Sequence, residues 1–170
     1  DVSRRGAYVA YIGAGEHAVK LRVLGVQELG PGTTGAVRLF LPAALPLLPG
    51  DRFVLRESGR DETVGGGEVL DIDPVLRASR AAPDRSVERL VRERGWLTVD
   101  QIEQLTGEVI DPVIGEWVTT SESLAELGAA IVERVDEAGP AGLDLAAFDE
   151  RERAVLPTLD AVVVSNGLVQ

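Results

Sequence analysis

Few residues in this sequence have the types and spacing that catalysis or metal binding requires. Asp71 and Asp73 stand two apart on a predicted strand and would share one face. That spacing is more typical of a solvated strand end, or of contacts to a neighbouring domain, than of an acid–base pair. His17, the single histidine, has no second His or Cys to share a metal. It fits a surface residue or an RNA contact better than an acid or base, and no catalytic or metal site is predicted.

Charge is distributed unevenly along the chain. The net charge is −11, and residues 1–80 contain ten Lys/Arg and ten Asp/Glu, whereas residues 81–170 contain seven and eighteen. Because nucleic-acid affinity rests largely on neutralised phosphates, the second half is a poor RNA surface unless its few arginines gather on one face. The first half could still present a basic stripe.

Composition restricts the class of protein. With 45% hydrophobic residues the chain is globular, and the absence of cysteine rules out disulfides and suits a cytosolic protein. No apolar run approaches the length of a membrane span. Because methionine is absent, we interpret the sequence as a fragment of a longer protein.

The first half shows strand patterns punctuated by Gly and Pro. Alternation over residues 17–24 and 52–56, and β-rich runs over 7–12 and 36–41, predict an all-β barrel or sandwich. A turn at Pro49-Gly50 precedes the strand over 52–56, and a second strand is predicted over 68–72. Three glycines, Gly65, Gly66 and Gly67, would lie between these two strands, where a backbone or ligand can approach closely.

Neither nucleotide-binding loop motif is present. Gly13-Ala14-Gly15 follows a strand, but position 18 is alanine and the next segment is a strand, so a turn or bulge is predicted rather than a dinucleotide site. The sequence contains no G-x-x-x-x-G-K-[ST] motif, so no P-loop lies in this chain.

The second half is predicted to contain two winged-helix-like modules after a linker over residues 76–84. The module at 85–121 has helices over 85–94 and 99–105, the second with a Thr98/Gln101 capping box, and a ribbon over 112–120. The module at 122–170 has a helix over 124–135, capped by Ser121 or Ser123, one or two helices over 146–159, and a hairpin at Asn166-Gly167. This module could be incomplete at its far end.

The segment Gly50-Asp-Arg-Phe-Val-Leu-Arg-Glu-Ser-Gly-Arg60, followed by Thr63-Val-Gly-Gly-Gly-Glu-Val-Leu-Asp71, resembles the end of the third domain of elongation factor Tu-type translational GTPases. Asp61 and Glu62 lengthen the turn relative to elongation factor Tu. The additional residues after this segment make the chain similar to the selenocysteine-specific elongation factor, whose third domain is followed by winged-helix domains. The resemblance implies a mixed, multi-domain fold: an all-β barrel over 1–75, then the two small winged-helix modules.

The resemblance also implies a function. The parent would deliver selenocysteinyl-tRNA to the ribosome at recoded UGA codons, using GTP and Mg²⁺ bound in a GTPase domain outside this chain, so the chain itself would not be an enzyme. Its modules would lead to a tip that binds the mRNA hairpin, and the glycines at 65–67 would pack against other domains. The protein would be a cytoplasmic monomer without a membrane association. In the barrel, an RNA stem would be bound through cations on one rim. The candidates, at least half of which would be ordinary surface charge, are Arg4, Arg5, His17, Lys20, Arg22, Arg52, Arg56 and Arg60.

Two other classes remain open at this point. The chain could be a stand-alone winged-helix nucleic-acid-binding protein with a β-barrel sensor, although the acidic second half argues against duplex binding. It could also be a protein–protein scaffold, in which the arginines of the barrel contact no RNA.

Overall fold

A computed structural model describes residues 1–60 and 62–170. Asp61, which belongs to the predicted lengthened turn, lies outside the described residues. The chain divides into two compact units, Asp1–Arg89 together with Gln104–Glu108, and Leu90–Glu103 together with Val109–Gln170. The domain boundaries predicted from sequence at residues 75, 84 and 121 stay a prediction.

Antiparallel strands form the first unit, so the predicted β-rich character of this part is confirmed. Five strands build one sheet in the order β5-β3-β2-β6-β7, and β1 pairs separately with β4. The strands are β1 (Val2–Ser3), β2 (Tyr8–Ile12), β3 (Gly15–Val23), β4 (Glu28–Leu29), β5 (Val37–Phe40), β6 (Arg52–Glu57) and β7 (Glu62–Glu68).

One face of the five-stranded sheet is buried. In β3 the apolar side chains at every second position are buried, while the residues between them are exposed. This period of two is what a strand with one covered face requires. The buried core of the first unit consists of Val2, Tyr8, Ala10, Ile12, Val19, Leu21, Val23 and Leu55.

The glycine run lies inside a strand, and the prediction that it separates two strands was wrong. The strand β7 covers residues 62–68, where the sequence analysis placed the strand at 68–72. Phe53 is opposite Gly67 and Val54 is opposite Gly66 in the ladder with β6. A Cβ at Gly66 would lie 2.9 Å from the Phe53 carbonyl oxygen, and one at Gly67 would lie 3.0 Å from the Phe53 ring. Glycine at positions 66 and 67 therefore permits the close packing of β7 on β6.

Two turns predicted from the sequence are present, one before β6 and one between β2 and β3. At Pro49-Gly50, the Asp51 amide donates to the Leu48 carbonyl and the Asp51 carboxylate accepts from the Leu48 amide. Gly13 has a φ of 58° in the tight turn between β2 and β3, which confirms a turn at this position.

A buried arginine joins three parts of the first unit. Arg89, near the start of helix α1 (Val87–Arg94), has 2% of its surface exposed. Its guanidinium donates to the Asp71 carboxylate at 2.9 Å, to the Asp84 carboxylate at 3.2 Å and to the Asp84 carbonyl at 2.8 Å. The Asp71 side chain is only 7% exposed, so the prediction of a solvated strand end was wrong for this residue. A buried cation needs such partners, because desolvating it alone is costly.

The second unit contains short helices and small antiparallel ladders. It includes parts of α1 and α2 (Val99–Thr106), and all of α3 (Ser121–Ala138) and α4 (Glu150–Val155). Its strands form one ladder, β8-β9, and one sheet in the order β10-β12-β11. They are β8 (Trp96–Thr98), β9 (Trp117–Thr119), β10 (Leu143–Asp144), β11 (Val164–Ser165) and β12 (Leu168–Val169).

Several local predictions for the second half are confirmed. The capping box at α2 is formed, since the Thr98 amide donates to Gln101 Oε1 and the Gln101 amide to Thr98 Oγ1. The hairpin β11-β12 turns at Asn166 and Gly167, which have φ values of 52° and 79°, as a two-residue type I′ turn requires.

Other local predictions were wrong in detail. Thr120, and neither Ser121 nor Ser123, caps α3, because its hydroxyl accepts from the Ser123 amide. The predicted ribbon over 112–120 is a tight turn in which Ile114 bridges Trp117, and β9 pairs with the distant strand β8. This pairing brings the rings of Trp96 and Trp117 to 6.3 Å in an edge-to-face contact.

The core of the second unit lies between α3, α4 and the three-stranded sheet. It consists of Ile131, Val135, Phe148, Val155, Leu156, Val162 and Val169. In the part of the chain that the structure describes, the helices are too short or too polar to span a membrane.

Packing of β7 on β6 predicts different effects at two neighbouring glycines. Gly66→Ala should lower the free energy of unfolding by about 1–3 kcal/mol, because its methyl group would collide with the Phe53 carbonyl oxygen. Gly65→Ala is the matched control, since a Cβ at that position meets no atom within 4 Å. Urea denaturation of the two variants measures the difference, and equal losses would contradict the packing described for β7.

Hydrogen bonding to Asp84 predicts a local pH effect. Donation from the Ser86 hydroxyl, with Arg89 contributing, holds the pKa of Asp84 below its usual value. A depressed carboxyl pKa stabilises the fold above the pKa of the unfolded state, and that contribution is lost as the pH falls through the folded pKa. Ser86→Ala should therefore raise the Asp84 pKa, measured by NMR titration of its carboxyl carbon. An unchanged pKa would show that the hydroxyl is not the main cause.

Candidate nucleic-acid interface

The strand register decides which charged residues share the outward face of the five-stranded sheet. Residues directly opposite one another in an antiparallel pair point to the same side. Val9 lies opposite Ala18 on β3 and opposite Arg56 on β6. All three alternate with buried neighbours, so they face outward, away from the core. The cations that share this parity are Lys20, Arg22, Arg38, Arg52 and Arg56.

Four of these cations lie toward one end of the sheet. Lys20 is opposite Phe40 and Arg22 is opposite Arg38 on the β3-β5 ladder, beyond the level where β2 begins. Arg56 on β6 is level with Ala18 on β3, because both residues lie opposite Val9 of β2. Ala18 is two residues before Lys20 on β3. With strands about 4.8 Å apart, the backbones of Lys20 and Arg56 are separated by about 12 Å. We call Lys20, Arg22, Arg38 and Arg56 the basic end.

The opposite end of the same face is mixed in charge. Glu16 follows along β3, and Arg52 lies directly opposite Glu68 on β7. Arg52 therefore faces a carboxylate, whereas Lys20 lies opposite Phe40 and Arg22 lies opposite Arg38. Tyr11, Arg52, Val54 and Glu68 also line a shallow depression at this end of the first unit.

Arg38 was not among the candidates from sequence, yet it is part of the basic end. It stands between Val37 and Leu39, and both of these pack on the core. One Arg38 nitrogen donates to the Leu76 carbonyl at 2.8 Å, which places the chain after residue 75 beside the guanidinium. The exposed side chains of Arg77 and Arg80 follow directly in that segment. The available signal for an outward arginine was the single charged residue at position 38 within the β-rich run 36–41.

The remaining candidate cations lie at turns, and the histidine lies on the opposite face. Arg60 is in the turn after β6, where it approaches Glu57 at 4.0 Å, and the neighbouring Ser58 amide donates to the Ala7 carbonyl. That turn is thus at the same end of the sheet as the basic end. Arg4 and Arg5 are exposed in the turn that precedes β2. His17 pairs with Ala10 on the core-facing side, so the structure does not bring it together with the cations.

Three arginines of the second unit, Arg134, Arg151 and Arg153, are engaged by groups of that unit. The Arg134 guanidinium lies 4.5 Å from the centre of the Phe148 ring and donates to Glu152 at 2.8 Å. Arg151 donates to Asp149 at 2.8 Å, and Arg153 donates to the Leu145 carbonyl. The hydrogen bonds from Arg151 and from the Glu152 amide hold the pKa of Asp149 below its usual value. Among residues 1–60 and 62–170 there is no cluster of three or more His, Cys, Asp or Glu that could hold a metal ion.

The residues that form the five-stranded sheet match a known protein family. Residues 8–75 match the family model described as the β-barrel domain of the selenocysteine-specific elongation factor. Residues 8–75 belong to this family. The match begins at the first residue of β2 and ends after β7, so it contains the whole basic end. The resemblance seen in the sequence is confirmed.

A solved structure extends the likeness beyond the barrel domain. The crystal structure of a bacterial selenocysteine-specific elongation factor, EF-Sec, matches 99% of this chain with a TM-score of 0.64 and 18% sequence identity. The chain spans about a third of that structure, since the match covers 32% of it. At this identity the match shows a shared fold. No curated protein sequence matches the chain.

Pairing across the sheet predicts opposite effects for two outward arginines. Arg22→Thr should raise the free energy of unfolding by about 0.2–1 kcal/mol, because Arg22 and Arg38 are like charges directly opposite each other. The matched control, Arg52→Thr, should lower it by a similar amount, since it removes the charge opposite Glu68. Both differences should shrink as salt is added. Thermal denaturation at low and high salt measures them, and effects of the same sign would contradict this charge pattern.

Proposed function

We propose that this chain is the part of a selenocysteine-specific elongation factor that contacts selenocysteinyl-tRNA through its β-barrel domain. The observation that carries the proposal is the basic end, which collects four cations on one outward face of the sheet of a domain from this family. The sequence of residues 1–80 has no net charge, so the concentration arises from the strand register. The binding partner would be the acceptor and T-arm side of the tRNA.

The basic end suits the surface of an A-form stem. Such a stem is recognised mostly by its shape, through phosphates and 2′-hydroxyls, because its deep groove is closed to side chains. Arginines on a rigid sheet lose little freedom on binding, and their planar guanidinium groups can donate to two phosphate oxygens at once. Arg56 on β6 and Arg60 in the following turn would contact the phosphates of the stem.

The proposal assigns other roles to the rest of the protein. The acidic second unit would form winged-helix modules that set the distance between the tRNA and a tip that binds the mRNA hairpin. The order β10-β12-β11, with α3 before and α4 between its strands, supports the second of these modules. The whole protein would act as a cytoplasmic monomer that delivers the tRNA to the ribosome, with GTP and Mg²⁺ bound by a domain outside this chain. Gly65, Gly66 and Gly67 would also permit packing against other domains.

Binding of a stem RNA tests the proposed tRNA contact. The probe is a fluorescent minihelix comprising the acceptor stem and T-arm of selenocysteine tRNA, titrated with the full 170-residue chain at several salt concentrations. Arg56→Gln and Arg60→Gln should each weaken binding and each reduce the slope of log affinity against log salt by about 1, as expected for the loss of one phosphate contact.

Arg52→Gln is the matched control, because Arg52 is on the same strand as Arg56 but faces Glu68 at the other end of the sheet. Its affinity and salt slope should remain close to those of the unchanged chain. Equal losses in all three variants would indicate non-specific attraction. Unchanged binding in Arg56→Gln and Arg60→Gln would contradict the proposal and favour a protein-interaction scaffold.

A further inference from the structure

Phe40 is an exposed aromatic ring on the same sheet face as Lys20, Arg22 and Arg38. With 49% of its surface exposed, it is the most exposed aromatic residue among those that the structure describes. It lies on β5, an edge strand of the sheet, and points outward like its neighbour Arg38 two positions before it. Covering an exposed phenylalanine ring with an apolar or aromatic partner is favourable, because it removes apolar surface from water. The residues next to Phe40 indicate what kind of partner could cover the ring.

The surroundings of Phe40 are strongly basic. Lys20 lies directly opposite Phe40, and Arg22 lies opposite Arg38. The hydrogen bond from Arg38 to the Leu76 carbonyl brings in the segment with exposed Arg77 and Arg80. We call this set the Phe40 patch. Its members are Lys20, Arg22, Arg38, Phe40, Arg77 and Arg80.

The like-charge pair in the patch points to an anionic ligand. Arg22 and Arg38 are directly opposite on adjacent strands, an arrangement that disfavours the free protein. An anion placed between the two guanidinium groups would remove the repulsion and accept hydrogen bonds from both. A partner with negative charge alone would leave the Phe40 ring uncovered, whereas a partner with both a phosphate and an aromatic face would satisfy the whole patch.

We infer that the Phe40 patch binds a single-stranded segment of RNA, with one unpaired base stacked on Phe40 and the flanking phosphates held by Lys20, Arg22 and Arg38. Aromatic rings among cations on an open surface are the usual means of binding single strands, since every base has a π-face. In a stem the bases are stacked on one another and cannot cover the ring. The inference rests on the proposed RNA-binding function and deepens it by naming the class of RNA segment for this part of the sheet.

Titration with a short oligonucleotide tests the inference. The probe is a fluorescein-labelled oligouridylate of about eight nucleotides, which lies within the usual range of single-strand site sizes. Phe40→Ala should weaken its binding by between about 5-fold and 150-fold, the range for loss of one stacked base. Phe40→Trp should retain or strengthen the binding, because a larger ring stacks at least as well. Val54→Ala is the matched control, an exposed apolar residue on the same sheet face at the mixed end, and should change the affinity little.

The same variants titrated with the tRNA minihelix separate this inference from the proposed function. Loss of oligouridylate binding in Phe40→Ala, with minihelix binding retained, supports stacking at the Phe40 patch. Equal oligouridylate binding by Phe40→Ala and the unchanged chain would overturn the inference while leaving the proposed function in place. Failure of the unchanged chain to bind the minihelix would overturn the proposed function itself. If Phe40→Ala also has a lowered melting temperature, Phe40→Trp decides between the two roles of the ring. Retained oligouridylate binding by Phe40→Trp would support stacking, whereas weakened binding would assign the ring a packing role and overturn the inference.

Discussion

The register of β2 between its two neighbours determines both the core and the charged surface of the first unit. Because side chains alternate along a strand, a slip of β3 or of β6 by one residue would carry Lys20 or Arg56 to the buried face and expose Val19 or Leu55. Several contacts oppose such a slip. The Tyr8 hydroxyl accepts from the Ser3 amide at 2.8 Å, and the Ser58 amide donates to the Ala7 carbonyl at 2.9 Å. The basic end is thus a consequence of the same alternation that builds the core.

Close packing of β7 on β6 adds a second constraint on the sheet. The ladder shifts register between Leu55 and Arg56, which is the signature of a bulge, and the glycines beyond the shift allow β7 to lie against Phe53. Side chains at these positions would push the strand away from β6. The glycine run therefore serves the shape of the barrel domain directly, whatever else it contacts in the whole protein.

The distribution of charge differs between the two units. Four cations of the first unit lie toward one end of an open face, where the like charges of Arg22 and Arg38 are directly opposite each other, an unfavourable pairing. In the second unit, Arg134 and Arg151 are paired with carboxylates and the surrounding sequence is acidic. The outward face of the sheet in the first unit is therefore better suited to a polyanion than the acidic second unit.

Local patterns in the sequence predicted the elements well where one signal dominated. Alternation identified β3 and β6, and a β-rich run identified β2. Thr98 with Gln101 identified a helix cap, and Asn166 with Gly167 identified a hairpin turn, because each pattern acts within a few residues. The strand β7 was misplaced because Gly65–Gly67 has low strand propensity, and only the tertiary packing against Phe53 makes glycine favourable there. The pairing of β8 with β9 joins residues about twenty positions apart, which local patterns do not encode.

The sequence predicted which cations could form the candidate site. Where these cations lie on the sheet became clear only from the pairing of the strands. Lys20, Arg22, Arg56 and Arg60 lie toward one end of the sheet, but Arg52 on the same strand as Arg56 is about 13 Å away beside Glu68. His17 differs from Lys20 in parity and lies on the other face. Arg38 and Phe40 were overlooked because their importance comes from the residues opposite them on β3, and sequence proximity gives no information on that pairing.

Mapping the contact surface by NMR tests the central claim most directly. The 170-residue chain, labelled with ¹⁵N, would be titrated with the tRNA minihelix while the backbone amide shifts are followed. Binding of the stem at the basic end predicts the largest shifts around Arg56 and Arg60, with the amides of the second unit nearly unchanged. Shifts confined to the second unit, or centred on Arg52 and Glu68, would contradict the account.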